Sequence, residues 1–248
     1  MFSMIIFLYG LLFGSFFNVV GLRVPEGQSI VRPRSACPTC SRTLTTRELV
    51  PVISYMMQGG KCRVCRTRIS PLYPLTELAT ALLFLYAYLF YGLTPEFFMA
   101  VLFISMLLII TVSDLAYMLI PDKILLFFSV LFLIGRILMP LSPWWDSLLG
   151  AASGFLLLLL IAVLSKGGMG GGDIKLFAVI GFVMGTKAMF LVFFLSCAFG
   201  AFIGLFLLFL GIVERGKPMP FGPFIAAAAI MVYFHGDRMI SWYLSFFN

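Results

Sequence analysis

The chain alternates long apolar runs with short polar breaks. Residues 2–20 carry no charge, and further apolar segments follow at about 72–93, 97–114, 123–140, 146–165, 174–186, 187–213 and 221–246. Runs near 20 apolar residues match a hydrocarbon core about 30 Å thick. The absence of strict alternation predicts helices rather than the strands of a barrel. Helix-stopping residues mark the breaks: Leu93-Thr94-Pro95-Glu96, Ile120-Pro121-Asp122-Lys123, Ser142-Pro143-Trp144-Trp145-Asp146 and Glu214-Arg215-Gly216-Lys217-Pro218. The least marked is Gly185-Thr186-Lys187, where the sixth and seventh segments nearly merge and only Lys187 argues for a split. The pattern predicts an all-α polytopic membrane protein of about eight transmembrane helices. It is organised as a first span (1–20), a polar segment (21–71) and a multi-span bundle (72–248).

Composition agrees: 62% of residues are hydrophobic and the mean hydropathy is +1.09, against about 45–50% apolar for a soluble domain. Charge adds an orientation. Nine of the 17 cations but only two of the 10 anions lie between residues 20 and 71, so this segment holds the whole net charge of +7. The positive-inside rule places it in the cytoplasm, where an anionic leaflet accounts for the basic excess without nucleic acid. The first run has no basic residue ahead of it and continues directly to Arg23, the pattern of an uncleaved span entering with its N-terminus outside. Eight spans then put the 21–71 segment, the turn after Asp114, the glycine-rich loop and the Glu214–Pro220 turn on the cytoplasmic side.

The polar segment contains Cys37-Pro38-Thr39-Cys40 and Cys62-Arg63-Val64-Cys65, with 21 residues between the pairs, just beyond the usual 15–20 of paired zinc motifs. Four thiolates so spaced suit a closed tetrahedral zinc site, a small zinc-ribbon-like domain. About 50 residues build little core, so a structural metal would supply stability. Disulfides are the alternative, and a cytoplasmic placement disfavours them. Cys197, alone in an apolar run, reads as buried filler. His235, the sole histidine, lies near the far end of the last segment and makes a histidine-ligated catalytic zinc a poor fit.

Two carboxylates stand out. Asp173 follows Gly167-Gly168-Met169-Gly170-Gly171-Gly172, and Asp114 ends an apolar segment in Thr111-Val112-Ser113-Asp114. Acids beside apolar spans are costly and point to function. Glycines ahead of one allow a sharp turn and close approach of another backbone, such as a substrate peptide. Two neighbouring acids do not both ionise readily, so they form a general acid and a general base around one water. The bland alternatives are that Asp173 caps a helix starting at Ile174 and that Asp114 sits among headgroups. Asp122, after Ile120-Pro121, reads as an N-cap, and Glu77 as an acid hydrogen-bonded within the bundle. The glycine run is followed by no Lys-Ser/Thr, which argues against a phosphate loop.

At these residues the chain resembles the prepilin peptidases, the type IV leader peptidase family of membrane aspartyl proteases. The resemblance runs through Gly14-Ser15-Phe16-Phe17-Asn18-Val19-Val20, the paired Cys-x-x-Cys motifs, and Ser113-Asp114 through Leu119-Ile120-Pro121-Asp122. It continues in Gly170-Gly171-Gly172-Asp173-Ile174-Lys175 and Pro220-Phe221-Gly222-Pro223-Phe224. It covers almost the full length and is nearest in style to the competence-type enzymes of Gram-positive bacteria. It implies a protein of the bacterial inner membrane, with its catalytic face toward the cytoplasm, that cleaves the basic leader of type IV pilin-like precursors after a glycine. Asp114 and Asp173 are then the catalytic pair and Cys37, Cys40, Cys62 and Cys65 hold zinc. Many members also methylate the new N-terminus with S-adenosylmethionine, and Gly60-Lys61 match positions implicated there. Two other classes remain open: an ion-coupled carrier, which should show internal repeats, and a non-catalytic assembly factor docking partners through its zinc ribbon.

Overall fold

The structure, a computed structural model, describes residues 1–166, 168–211 and 219–245. Gly167 and the Glu214–Pro218 break lie outside the described residues. Among those described, every regular element is helical: α1 (Phe2–Arg23), a 3-10 turn (Thr46–Leu49), α2 (Ile53–Met57), α3 (Leu72–Tyr91), α4 (Pro95–Tyr117), α5 (Asp122–Leu138), α6 (Asp146–Leu164), α7 (Gly171–Met184), α8 (Thr186–Phe209) and α9 (Gly222–Leu244). The expected all-helical membrane fold is present. On length and hydropathy five helices among the described residues, α1, α3, α4, α6 and α8, can cross a bilayer. The 14 residues of α7 rise only about 21 Å, short of a hydrocarbon core about 30 Å thick.

The chain forms two compact units, Met1–Val112 and Ser113–Asn248. In the first, α1 crosses α3 through small residues: a Cβ on Gly14 would lie 2.6 Å from the Glu77 Cα. Such contact lets membrane helices gain close packing where no hydrophobic force drives them together. Asn18 of α1 donates to the Tyr73 carbonyl at 3.2 Å. Glu77, buried on α3, accepts the Val52 N–H at 2.7 Å and so ties the start of α2 to this pair.

In the second unit α6 and α7 touch backbone to backbone, since a Cβ on Gly181 would lie 2.0 Å from the Gly150 oxygen. Gly185, the single residue between α7 and α8, has φ +82, a conformation glycine adopts without strain. The weakly marked break is therefore a real one. Asp146, at the start of α6, locks it by accepting the Thr186 hydroxyl at 2.7 Å and the Thr186 N–H at 3.3 Å. Arg136 near the end of α5 donates to the Val183 carbonyl of α7, while Lys175 of α7 pairs with Asp122 of α5 at 2.7 Å. Held by α5 at both ends and by α6 along its middle, α7 is a rigid support for Asp173 in its first turn.

Candidate active site and metal centre

Asp114 lies in the last turn of α4 with 6% of its surface exposed. Its Oδ2 accepts the N–H of Gly222, the first residue of α9, at 2.7 Å. Beside it, Ser113 Oγ donates to the Leu119 carbonyl at 2.6 Å, and Met118 at φ +53 turns the chain back on itself. This fold-back brings Ile120 against α7: a Cβ on Gly172 would sit 2.7 Å from the Ile120 Cβ. Asp173 follows directly, half-buried, its carboxyl turned back over Gly170, where an added Cβ would lie 3.1 Å from Oδ2. The Ile120–Gly172 contact lies six residues after Asp114 and one before Asp173, so it draws the two acids toward each other. Three chain turns, 118–121, 170–173 and 220–222, thus converge around the two acids.

The geometry revises several bland readings. Asp114 is buried rather than set among headgroups. Helix α7 begins at Gly171, not Ile174, so Asp173 is its third residue and not its cap. Asp122 is also inside its helix: Pro121 holds the N-cap position, and the exposed Asp122 side chain reaches Lys175. Cys197 is exposed rather than buried, because an apolar run reads the same whether its side chains face protein or lipid. His235 lies 13 residues into α9 from Gly222, roughly 20 Å along the axis at 1.5 Å per residue, well removed from Asp114.

The glycines ahead of Asp173 divide by role. Gly172 is needed by the chain's own packing on Ile120, whereas a Cβ on Gly171 would meet nothing within 4 Å. Gly172→Val is therefore expected to lower both melting temperature and cleavage. Gly171→Ala should leave the melting temperature unchanged and raise KM if a substrate backbone approaches there. Cleavage kinetics beside thermal melting check both.

The four cysteines converge as the sequence spacing suggests, with all Sγ atoms within 4.8 Å of one another. Cys37 and Cys65 are 3.6 Å apart and Cys40 and Cys62 4.0 Å. Tetrahedral zinc with bonds of about 2.3 Å sets sulfurs about 3.8 Å apart, so these residues fit the ion. The two motifs are also the same object built twice. Cys37 N–H donates to Arg42 O as Cys62 N–H does to Thr67 O, and Leu44 N–H donates to Ser35 O as Ile69 N–H does to Gly60 O. A left-handed residue sits in each, Ser41 and Arg66. The pairing was legible only as spacing; the twofold likeness was not. Glu48 carries no motif signal in the sequence. Its carboxylate takes the Thr45 N–H and pairs with Arg42 at 2.5 Å and with Arg63 at 3.8 Å, tying both knuckles together. The Thr45 N–H first, then Arg42, hold it down to about 2.

Gly60 and Lys61 line a concavity of about 590 Å³ together with Tyr55, Arg68 and Ser70. Gly60 has φ +66, and a Cβ there would press on the Tyr55 hydroxyl at 2.9 Å. Lys61 and Arg68 thus place two cations beside the Tyr55 ring and the Ser70 hydroxyl.

Comparison with known proteins bears on this arrangement. The bacterial peptidase A24 N-terminal domain model matches residues 8–91, and the type IV leader peptidase family model matches residues 101–205. A prepilin leader peptidase/N-methyltransferase of Bacillus subtilis (strain 168) is 49% identical over 97% of each chain. The chain belongs to the type IV leader peptidase family. Proteins of the same description from Aeromonas salmonicida (strain A449) and Pseudomonas aeruginosa are 35% and 36% identical, over 97% and 96% of this chain and 93% and 92% of theirs. No solved structure gives a significant match. Membership makes the chain a peptidase acting on pilin-like precursors; neither the carrier nor the non-catalytic reading gains support.

Proposed function

We propose that Asp114 and Asp173 are the two carboxyls of a membrane aspartyl peptidase that removes the leader of pilin-like precursors at the cytoplasmic face of the inner membrane. The observation that carries this is the packing of Ile120, in the turn after Asp114, on Gly172 beside Asp173, with one acid buried and the other half-buried. One carboxylate takes a proton from water as the water oxygen bonds to the peptide carbonyl carbon. The other carboxyl gives its proton to the carbonyl oxygen. When the C–N bond breaks, the first carboxyl protonates the leaving amine, and the second recovers its proton as the C=O bond re-forms. Net consumption is one water.

The basic 21–71 segment supports a cytoplasmic placement and the five long apolar helices a multi-pass one, with the membrane rather than nucleic acid as the neighbour of the positive charge. Zinc is proposed as a structural ion held by Cys37, Cys40, Cys62 and Cys65. For methylation, Lys61 and Arg68 are the groups to hold the carboxylate of S-adenosylmethionine and Tyr55 the group to lie against its ring system. When bound, that cofactor supplies an electrophilic methyl group for the new N-terminal amine.

The test is mass analysis of a precursor peptide incubated with the purified enzyme, with and without S-adenosylmethionine. Cleavage after the leader glycine is expected in both, with 14 Da added only when the cofactor is present, about one CH₂ per amine. Direct binding by calorimetry should show Arg68→Ala weakening cofactor affinity while cleavage persists. An uncut precursor would defeat the peptidase reading for these residues, and unaltered affinity would defeat the proposed cofactor contacts.

A further inference from the structure

We propose that Gly222 is a positioning residue for peptide hydrolysis: its main-chain N–H orients Asp114 and keeps Oδ2 of that side chain free of a proton. The inference rests on the reading of Asp114 and Asp173 as the catalytic pair. Gly222 and Asp114 are 108 residues apart in sequence, yet the N–H of one lies 2.7 Å from Oδ2 of the other, and the bond is buried.

Three features make this contact specific. First, a backbone N–H only donates, so it stabilises the bare carboxylate oxygen and not a hydroxyl in its place. Second, Gly222 opens α9 and Pro223 follows it. The first N–H groups of a helix have no acceptor within it, and Pro223 has no N–H to compete, so the Gly222 N–H is left for Asp114. The positive end of the helix dipole adds to the attraction. Third, only a hydrogen fits at this position: a Cβ would lie 2.8 Å from Oδ2, 3.0 Å from the Asp114 Cβ and 3.1 Å from its Cγ.

The carboxyl of Asp173 is set differently, half-exposed and turned back on Gly170 within its own turn. Asp114 is thus the member held from outside its own helix. With Oδ2 committed to the Gly222 N–H, Oδ1 is the oxygen of Asp114 that takes the proton of the attacking water, and Asp173 supplies the proton that moves to the carbonyl oxygen. The Pro220–Pro223 turn then belongs to the machinery although it contributes no reactive side chain.

The test uses the full-length enzyme in nanodiscs with a pilin-like precursor peptide, comparing Gly222→Ala, Asp114→Ala and the double variant. Gly222→Ala is expected to lower kcat about 100-fold, the scale of loss for a displacement near 1 Å, with KM within about twofold. It should lower the melting temperature in the parent but not in the Asp114→Ala background, where the added methyl meets no carboxylate. That non-additivity identifies a contact acting through Asp114, and it can be read even if the single variant folds poorly. Normal kcat in Gly222→Ala, with cleavage abolished in Asp114→Ala, would overturn this proposal alone. An equal fall in melting temperature in both backgrounds would also overturn it, reducing Gly222 to helix-start packing. Cleavage surviving Asp114→Ala would overturn the catalytic pair and this proposal with it.

Discussion

Replacing Asp114 or Asp173 by Asn, one at a time, is expected to lower precursor cleavage by about 10³-fold or more, the scale of positioned acid–base catalysis. Asn is nearly isosteric with Asp, and its carbonyl oxygen can still accept the Gly222 N–H that Asp114 accepts at 2.7 Å. The supports of α7, from the Lys175–Asp122 pair to the Gly150–Gly181 crossing, involve neither acid. Folding and metal content should therefore stay unchanged while the capacity to exchange a proton disappears. Because the two carboxyls work on one water, the double variant should be no slower than either single one; residues acting as a unit do not add. Rates are measured on purified enzyme with a precursor peptide. A single Asn variant that cleaves at near the parental rate would end the two-aspartate mechanism.

How far the site could be read from sequence differs from group to group. The helices were legible because a bilayer imposes run lengths that polar breaks interrupt, and the split at Gly185 was readable from Lys187 two residues after it. The two acids were conspicuous because a carboxyl beside apolar segments is rare and costly. The Asp114–Gly222 bond was not legible as chemistry: its donor is a main-chain N–H, which leaves no residue-type signal, and its partners are 108 positions apart. The role of Gly172 was misplaced for a related reason. A glycine announces close approach without saying of what, and here the neighbour is Ile120 of the same chain. Glu48 was hidden because an acid among many arginines reads as solvated surface, whereas this one is buried and paired. Cys197 shows the ambiguity peculiar to membranes, where apolar surroundings on either side of a helix give the same pattern.

The second large effect expected concerns the four cysteines. Cys37→Ser combined with Cys40→Ser should abolish metal binding and unfold the segment between α1 and α3, leaving the long helices inserted. Structural zinc contributes about 10–16 kcal/mol in small peptide domains, while the buried residues of this segment are few, chiefly Cys37, Cys62 and Glu48. Each knuckle supplies two of the four ligands, and Glu48 ties them through Arg42 and Arg63. Neither knuckle should therefore hold its shape alone, and Cys62→Ser with Cys65→Ser should behave the same way. Gly60 and Lys61 begin the second knuckle, so S-adenosylmethionine binding should be lost in both double variants. Cleavage should fall less, because Asp114 and Asp173 stand on α4 and α7, outside the segment. Metal analysis, limited proteolysis and cofactor calorimetry on the same preparations separate these outcomes. Parent enzyme purified without bound metal, or a variant whose 24–71 segment resists protease as the parent does, would show that sulfur–metal bonds are not what holds this region together.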